Sequence, residues 1–218
     1  MVENTKKGQL LSLAKARQQA SWPGFANLTD FHDGYYECDV VSPWSLSAGN
    51  VGSDVMIVGQ DWAASDLLGA PPNSEIKRFG YDPALPTNNN LQRLLHSKLG
   101  LRWDEVYATN MMPLIKLGDM GARLPVAAAR WAAEHFLLPQ VRIVSPLIVI
   151  CLGRCVGDTL RHVLRLPLAP SFNAMIERPF EVGTSLAYVV PHPGARGTNN
   201  RGAEQVEQDW DRIAAGMS

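Results

Sequence analysis

Two rhythms of apolar and polar positions alternate along this chain. Short, nearly unbroken apolar runs, each ending in Gly or a polar residue, recur at 54–59, 105–110, 146–153 and 186–191. Runs of this kind are expected of parallel strands buried on both faces. Between them the spacing turns helical, at 90–99 closed by Gly100, at 126–145 opened by Pro125 and bent or interrupted at Pro139, at 156–166 and at 202–217. An opening helix is predicted at 5–20, with Leu10, Leu11, Leu13 and Ala14 inward and Lys6, Lys7, Lys15 and Arg17 as a basic outer face. The last helix carries an acidic face of Glu204, Glu207, Asp209 and Asp211. Residues 22–52 have little periodicity, but Trp22, Phe25, Phe31, Tyr35, Tyr36 and Trp44 predict a packed irregular arm.

Strands alternating with helices define an α/β fold, a three-layer α/β/α arrangement around a four-stranded parallel sheet with right-handed crossovers. The 218 residues, 46% apolar and 19% charged, suit a single domain over 1–218, with 1–52 as a helix and arm packed on it. The 20 Lys and Arg against 21 Asp and Glu give a net charge of -1, which excludes a globally basic nucleic-acid coat, so any nucleic-acid contact is a local patch. No apolar run nears the roughly 18 residues of a membrane span, and residues 1–8 lack a secretory core, so a soluble cytoplasmic protein is expected. Cys151 and Cys155 are spaced as neither a redox pair nor a zinc knuckle, and the three cysteines are expected to be reduced thiols. No metal or cofactor is predicted.

Ligands of open parallel sheets bind beyond the carboxyl ends of the strands. Those ends read Gly59-Gln60-Asp61-Trp62, Thr109-Asn110, Leu152-Gly153-Arg154 and Pro191-His192-Pro193-Gly194-Ala195-Arg196. A carboxylate, an amide and an imidazole are therefore projected towards one crevice. Singly each has a structural explanation, as a turn cap, a loop amide or a half-buried ring. Together they define a site.

Gly59-Gln60-Asp61 after the first strand, Asn110 after the second and His192-Pro193 after the last resemble the motifs of the uracil-DNA glycosylase superfamily. The resemblance covers about 54–202, including the order of elements. It implies a four-stranded parallel sheet between helices and hydrolysis of the N-glycosidic bond of uracil, or a related deaminated base, in DNA. It also implies that Asp61 positions the attacking water and stabilises the sugar cation, and that His192 donates to uracil O2. The chemistry is coherent, since the broken bond leaves a cation-like sugar and an anionic base. Asn110 suits the uracil edge, donating to O4 and accepting from N3–H. Phe79 holds the place of a stacking aromatic, and Trp62 borders the base. Pro193, Gly194, Arg196 and Arg201 are candidates to grip DNA, with Lys77, Arg78 and Arg154 extending the patch.

Departures from the family pattern are plain. Trp62-Ala63 stands where the best-known branch has Pro and a Tyr that excludes thymine, and Gly194 stands where relatives carry Ser. The cysteines do not provide the four ligands of an iron-sulfur branch. The expected partners are uracil-containing DNA, single- or double-stranded, and the free base as product, with no membrane and a monomeric state. The competing reading is a non-catalytic base, nucleotide or nucleic-acid binding module on the same fold. A dinucleotide loop at 152–157 lacks G-x-G-x-x-G.

Overall fold

The computed structural model describes residues 5–217; the first half of the polar start read at 1–8 lies outside them. The strands are β1 (Phe25–Ala26), β2 (Val55–Asp61), β3 (Tyr107–Met112), β4 (Ile115–Lys116), β5 (Ile148–Leu152), β6 (Phe180–Val182) and β7 (Ser185–Val190). The helices are α1 (Lys6–Gln18), α2 (Ser65–Leu68), α3 (Ser74–Phe79), α4 (Pro86–Leu94), α5 (Val126–Ala132), α6 (Leu138–Val144), α7 (Arg154–Val163), α8 (Phe172–Glu177), α9 (Ala195–Arg201) and α10 (Ala203–Met217). The main sheet runs β3-β2-β5-β7-β6, with the first four parallel. β5 lies at the centre between β2 and β7, and all five of its residues are buried.

One strand escaped the sequence reading. β6 pairs antiparallel to β7 through a hairpin whose turn is Gly183-Thr184, so the sheet has five strands rather than the expected four. Three residues with one exposed between two buried leave too short an alternation to recognise.

Successive residues of β2 serve opposite cores. Met56 and Val58 pack with Leu10, Ala128, Ala132, Val156 and Leu160 on one face. Val55 and Ile57 pack with Leu91, Leu94, Trp210 and Trp44 on the other. The long helical stretch after Pro125 is interrupted as its sequence predicted: a π-turn at Ala133–Leu137 separates α5 from α6, and Pro139 lies at the start of α6. Buried Gln140 of α6 accepts from Tyr107 Oη at 3.0 Å and Thr109 Oγ1 at 2.9 Å, fixing that helix to β3.

The arm is packed rather than loose, and its anchor corrects the view of α1 as basic outside. Arg17 is fully buried. It donates to Glu37 Oε2 at 2.8 Å and to the Cys38 carbonyl at 2.7 Å. The arm thereby brings Ser42, Pro43 and Trp44 over the carboxyl end of β2. Gly80 meets them: its φ is +76°, and a Cβ there would strike the Pro43 carbonyl. Only glycine permits both that backbone and that approach.

Candidate active site

The register of the sheet assembles the rim. Gly59 lies opposite Asn110, and Asp61 opposite Met112. β5 and β7 add Gly153 and His192, which neighbour each other: a Cβ on Gly153 would lie 3.8 Å from His192 Cβ. Asp61 and His192 are close enough for the carboxylate charge to act on the imidazole. The predicted convergence at one edge is therefore what the backbone produces.

Asp61 sits in a prepared setting. Its side chain is 5% exposed and its Oδ2 lies 3.4 Å from Lys116 Nζ, itself 5% exposed. Gln60 Nε2 donates to the same oxygen at 3.1 Å. The Lys116 ammonium also donates to the carbonyls of Met120 at 2.9 Å and Ala122 at 2.6 Å. All of its proton-donating capacity is thus directed inward, as a buried ammonium requires. Sequence reasoning missed Lys116. A lone Lys closing the apolar run 111–115 was the available signal, because lysines are rarely buried without partners.

His192 has a definite tautomer. The backbone N–H of Gly194 donates to its Nδ1 at 3.1 Å, which leaves Nε2 to carry the proton when the ring is neutral. Although part of the residue is open to solvent, the protein packed around the ring pushes its pKa below 6.5, and the charge of Asp61 opposes that shift. The ring is therefore a neutral Nε2–H donor at pH 7. Gly194 is constrained by the same contact, since a Cβ there would lie 3.0 Å from both His192 Nδ1 and Thr87 Oγ1. The Pro193 carbonyl accepts from Asn90 Nδ2 at 2.8 Å, tying the loop to α4.

A pH prediction follows. In an NMR titration the His192 pKa is expected below 6.5, and lower still in Asp61→Asn, which removes the opposing charge. The unfolded chain then takes up this proton first on acidification, so the contribution to stability is complete above about pH 6.5 and declines as pH falls through that value towards the folded pKa. A folded-state value at or above 6.5 would contradict the placement.

Asn110 is completely buried. Ser42 Oγ donates to its Oδ1 at 2.6 Å, while Nδ2 is buried with no partner. Amide and indole converge over Gly59, where a Cβ would lie 2.5 Å from Asn110 Nδ2 and 3.0 Å from the Trp44 ring. Ser42 and Trp44 come from the irregular arm, where no motif announced them. Trp62 donates its indole N–H to the Gly80 carbonyl at 2.7 Å and stands edge-on to Tyr36. It braces the 63–80 loop. Phe79 is half-buried against Tyr81, with the Arg78 guanidinium 4.9 Å from its ring centre, and its carbonyl accepts from Ser47 Oγ.

The cations divide. Arg196 is exposed on the first turn of α9. Lys77 lies 4.2 Å from the centre of the Tyr35 ring. Arg154 pairs with Asp158 one turn on. Arg201 corrects the sequence reading: it grips Asp209 with two bonds of 2.8 Å and donates to Asn173 Oδ1 at 2.7 Å. Asp209 is in turn buried, not part of an acidic outer face. Arg201→Ala is expected to lower stability by about 1–2 kcal/mol, since it removes two bonds from the buried Asp209 carboxylate and leaves it only Arg212 Nη1 at 3.1 Å, whereas Arg196→Ala leaves thermal unfolding unchanged. Equal melting temperatures for the two variants would restore Arg201 as a free cation.

Burial, and then the Asp61 charge, push the Cys155 thiol up to about 11; burial pushes Cys151 to about 12. Neither is a thiolate nucleophile at neutral pH. No group of three or more His, Cys, Asp or Glu side chains is placed to hold a metal ion among the described residues, and no helix there is long and apolar enough to cross a membrane.

Fold and rim define an α/β protein with a polar crevice at the carboxyl edge of a mostly parallel sheet. The family model for the uracil DNA glycosylase superfamily matches residues 46–214. The chain belongs to that superfamily, which acts on DNA and carries a uracil-DNA glycosylase-like function in general. No curated protein matches the chain.

Proposed function

We propose that the protein is a monofunctional DNA glycosylase that hydrolyses the N-glycosidic bond of uracil, or of a related deaminated base, during base-excision repair. The observation that carries this reading is the placement of Asp61 and His192 at the same edge of the sheet, a nearly buried carboxylate at the end of β2 and, just past β7, an imidazole whose free N–H is Nε2. As the bond lengthens, positive charge grows on the sugar and negative charge on the base. Asp61 stabilises the first and orients a water towards C1′, while His192 Nε2–H stabilises the second at uracil O2. Lys116 and Gln60 hold the Asp61 oxygen in place, so little reorganisation is needed as charge develops. Asn110 supplies an unpaired amide donor for the base edge, and Arg196 a cation beside the extruded nucleotide.

Release of free uracil from a defined oligonucleotide, followed by alkaline cleavage at the resulting abasic site, tests the proposal. Uracil release with strand cleavage only after alkali is expected. Binding that leaves the strand alkali-resistant would identify a base-holding module instead, and cleavage without alkali would overturn the monofunctional assignment.

A further inference from the structure

A cleft of about 760 Å3 opens between α5, α7 and the loop after β4, and Gln60 is among its lining residues. Gln60 is the sequence neighbour of Asp61, so the cleft adjoins the crevice. Its volume falls within the roughly 300–1,000 Å3 of ligand sites. The lining charge is one-sided. Arg123, Arg130 and Arg154 face the carboxylate of Asp158, which is already engaged by Arg154 Nε at 3.0 Å. Among the described residues, no carboxylate lies within ion-pairing distance of Arg123 or Arg130.

Two further observations point to a missing partner. Arg130 Nε is buried with nothing to donate to, and Asp158 Oδ1 is buried with nothing to accept from. Arg123 and Asp61 both act electrostatically on Cys155, so the unpaired guanidinium and the carboxylate of the crevice flank the same residue. The rim is apolar, with Val126 51% and Leu168 58% exposed.

We propose that this cleft holds the single strand of DNA that flanks the target nucleotide, with its phosphates on Arg123 and Arg130 and its sugars and bases over Val126 and Leu168. The inference rests on the glycosylase reading above for the identity of the strand. A positive groove that tracks one backbone is the usual means of holding single strands, and two unpaired guanidiniums suit one line of phosphates better than the two backbones of a duplex. No Phe, Tyr or Trp lines it, so the grip is by phosphate and carries little base preference. A chain of net charge -1 thereby places two unpaired cations where a strand leaves the crevice.

Fluorescence anisotropy with a uracil-free oligothymidylate and a duplex of equal length tests the proposal. Arg123→Glu and the rim variant Leu168→Glu are each expected to weaken single-strand affinity about tenfold, and Arg123→Glu to reduce the slope of log affinity against log salt by about 1. Duplex affinity should change far less. Unchanged single-strand affinity in both variants overturns the proposal, and so does an equal loss on duplex, or inorganic phosphate competing as well as the strand. Because the two positions are exposed, one variant answers if the other fails to fold. Strand binding through the cleft without uracil release would refute the glycosylase reading and leave the cleft assigned; uracil release with no effect of either variant would do the reverse.

Discussion

Asp61→Asn is expected to fold normally, bind uracil-containing DNA with near wild-type affinity, and lose single-turnover excision by a factor on the order of a hundred or more. The amide keeps the shape of the carboxylate and can still accept from Gln60. It cannot supply the negative charge that the sugar cation needs. The substitution also takes away the anionic partner of Lys116 Nζ, 3.4 Å distant, leaving that ammonium on the Met120 and Ala122 carbonyls alone. Stability falls by about 2–3 kcal/mol with the fold retained, because the buried ammonium loses its counter-charge while keeping its carbonyl acceptors. Measuring excision with enzyme in excess separates chemistry from product release. Single-turnover rates equal to wild type would show that Asp61 is structural and that the reaction centre lies elsewhere.

The parallel strands were legible because burial on both faces leaves an unbroken apolar run, as in 55–59 and 148–152. Helix ends were legible where chemistry punctuates them, as at Gly100, whose φ of 68° ends the stretch that begins at Pro86. β6 was not, because an edge strand of three residues carries no period. Charge placement was read least well. Arg17 and Asp209 look like solvent-facing charges by helical spacing, yet both are buried in ion pairs, Arg17 with Glu37 of the arm and Asp209 with Arg201 at the end of the preceding helix and Arg212 one turn on. Helical spacing shows which charges share a face but not that another segment covers that face.

The site was legible as far as the strand ends reach. Gly59, Asp61, Asn110 and His192 are placed by strand register, which hydrophobic pattern predicts. Lys116 and Ser42 are placed by the two-stranded sheet of β1 with β4 and by the path of the arm, which pattern does not predict. Ser42 and Trp44 lie outside the 46–214 segment that matches the family model. The environment of Asn110 is thus built partly by residues outside the matched segment. Trp62, expected as a bare wall of the pocket, turned out to be tied through its indole to Gly80.

Asn110→Asp is expected to lower uracil excision on the order of a hundredfold at pH 7 and to recover part of the loss on acidification. The reasoning begins with the amide, whose Oδ1 accepts from Ser42 at 2.6 Å and whose Nδ2 has no partner. An Asp in its place retains the acceptor for Ser42. Its second oxygen takes the position of the unpaired donor, and when ionised it repels the uracil O4 that an N–H would bind. Full burial disfavours the ionised form and raises the pKa of such a carboxyl, so acid restores a donor at that position. A protonated carboxyl offers a donor and an acceptor to either pyrimidine, so rejection of cytosine should relax as uracil excision falls. Ser42→Ala is the companion test, because it frees the amide to rotate without altering its charge. It should reduce discrimination between uracil and cytosine while leaving the acid recovery absent. Thymine rejection is expected to rest on bulk near the base C5, for which Trp62 is the candidate, rather than on the amide, and should not change in either variant. If Asn110→Asp excises uracil at the wild-type rate, Asn110 serves only to tie β3 to the arm, and recognition of the base belongs to other residues of the rim.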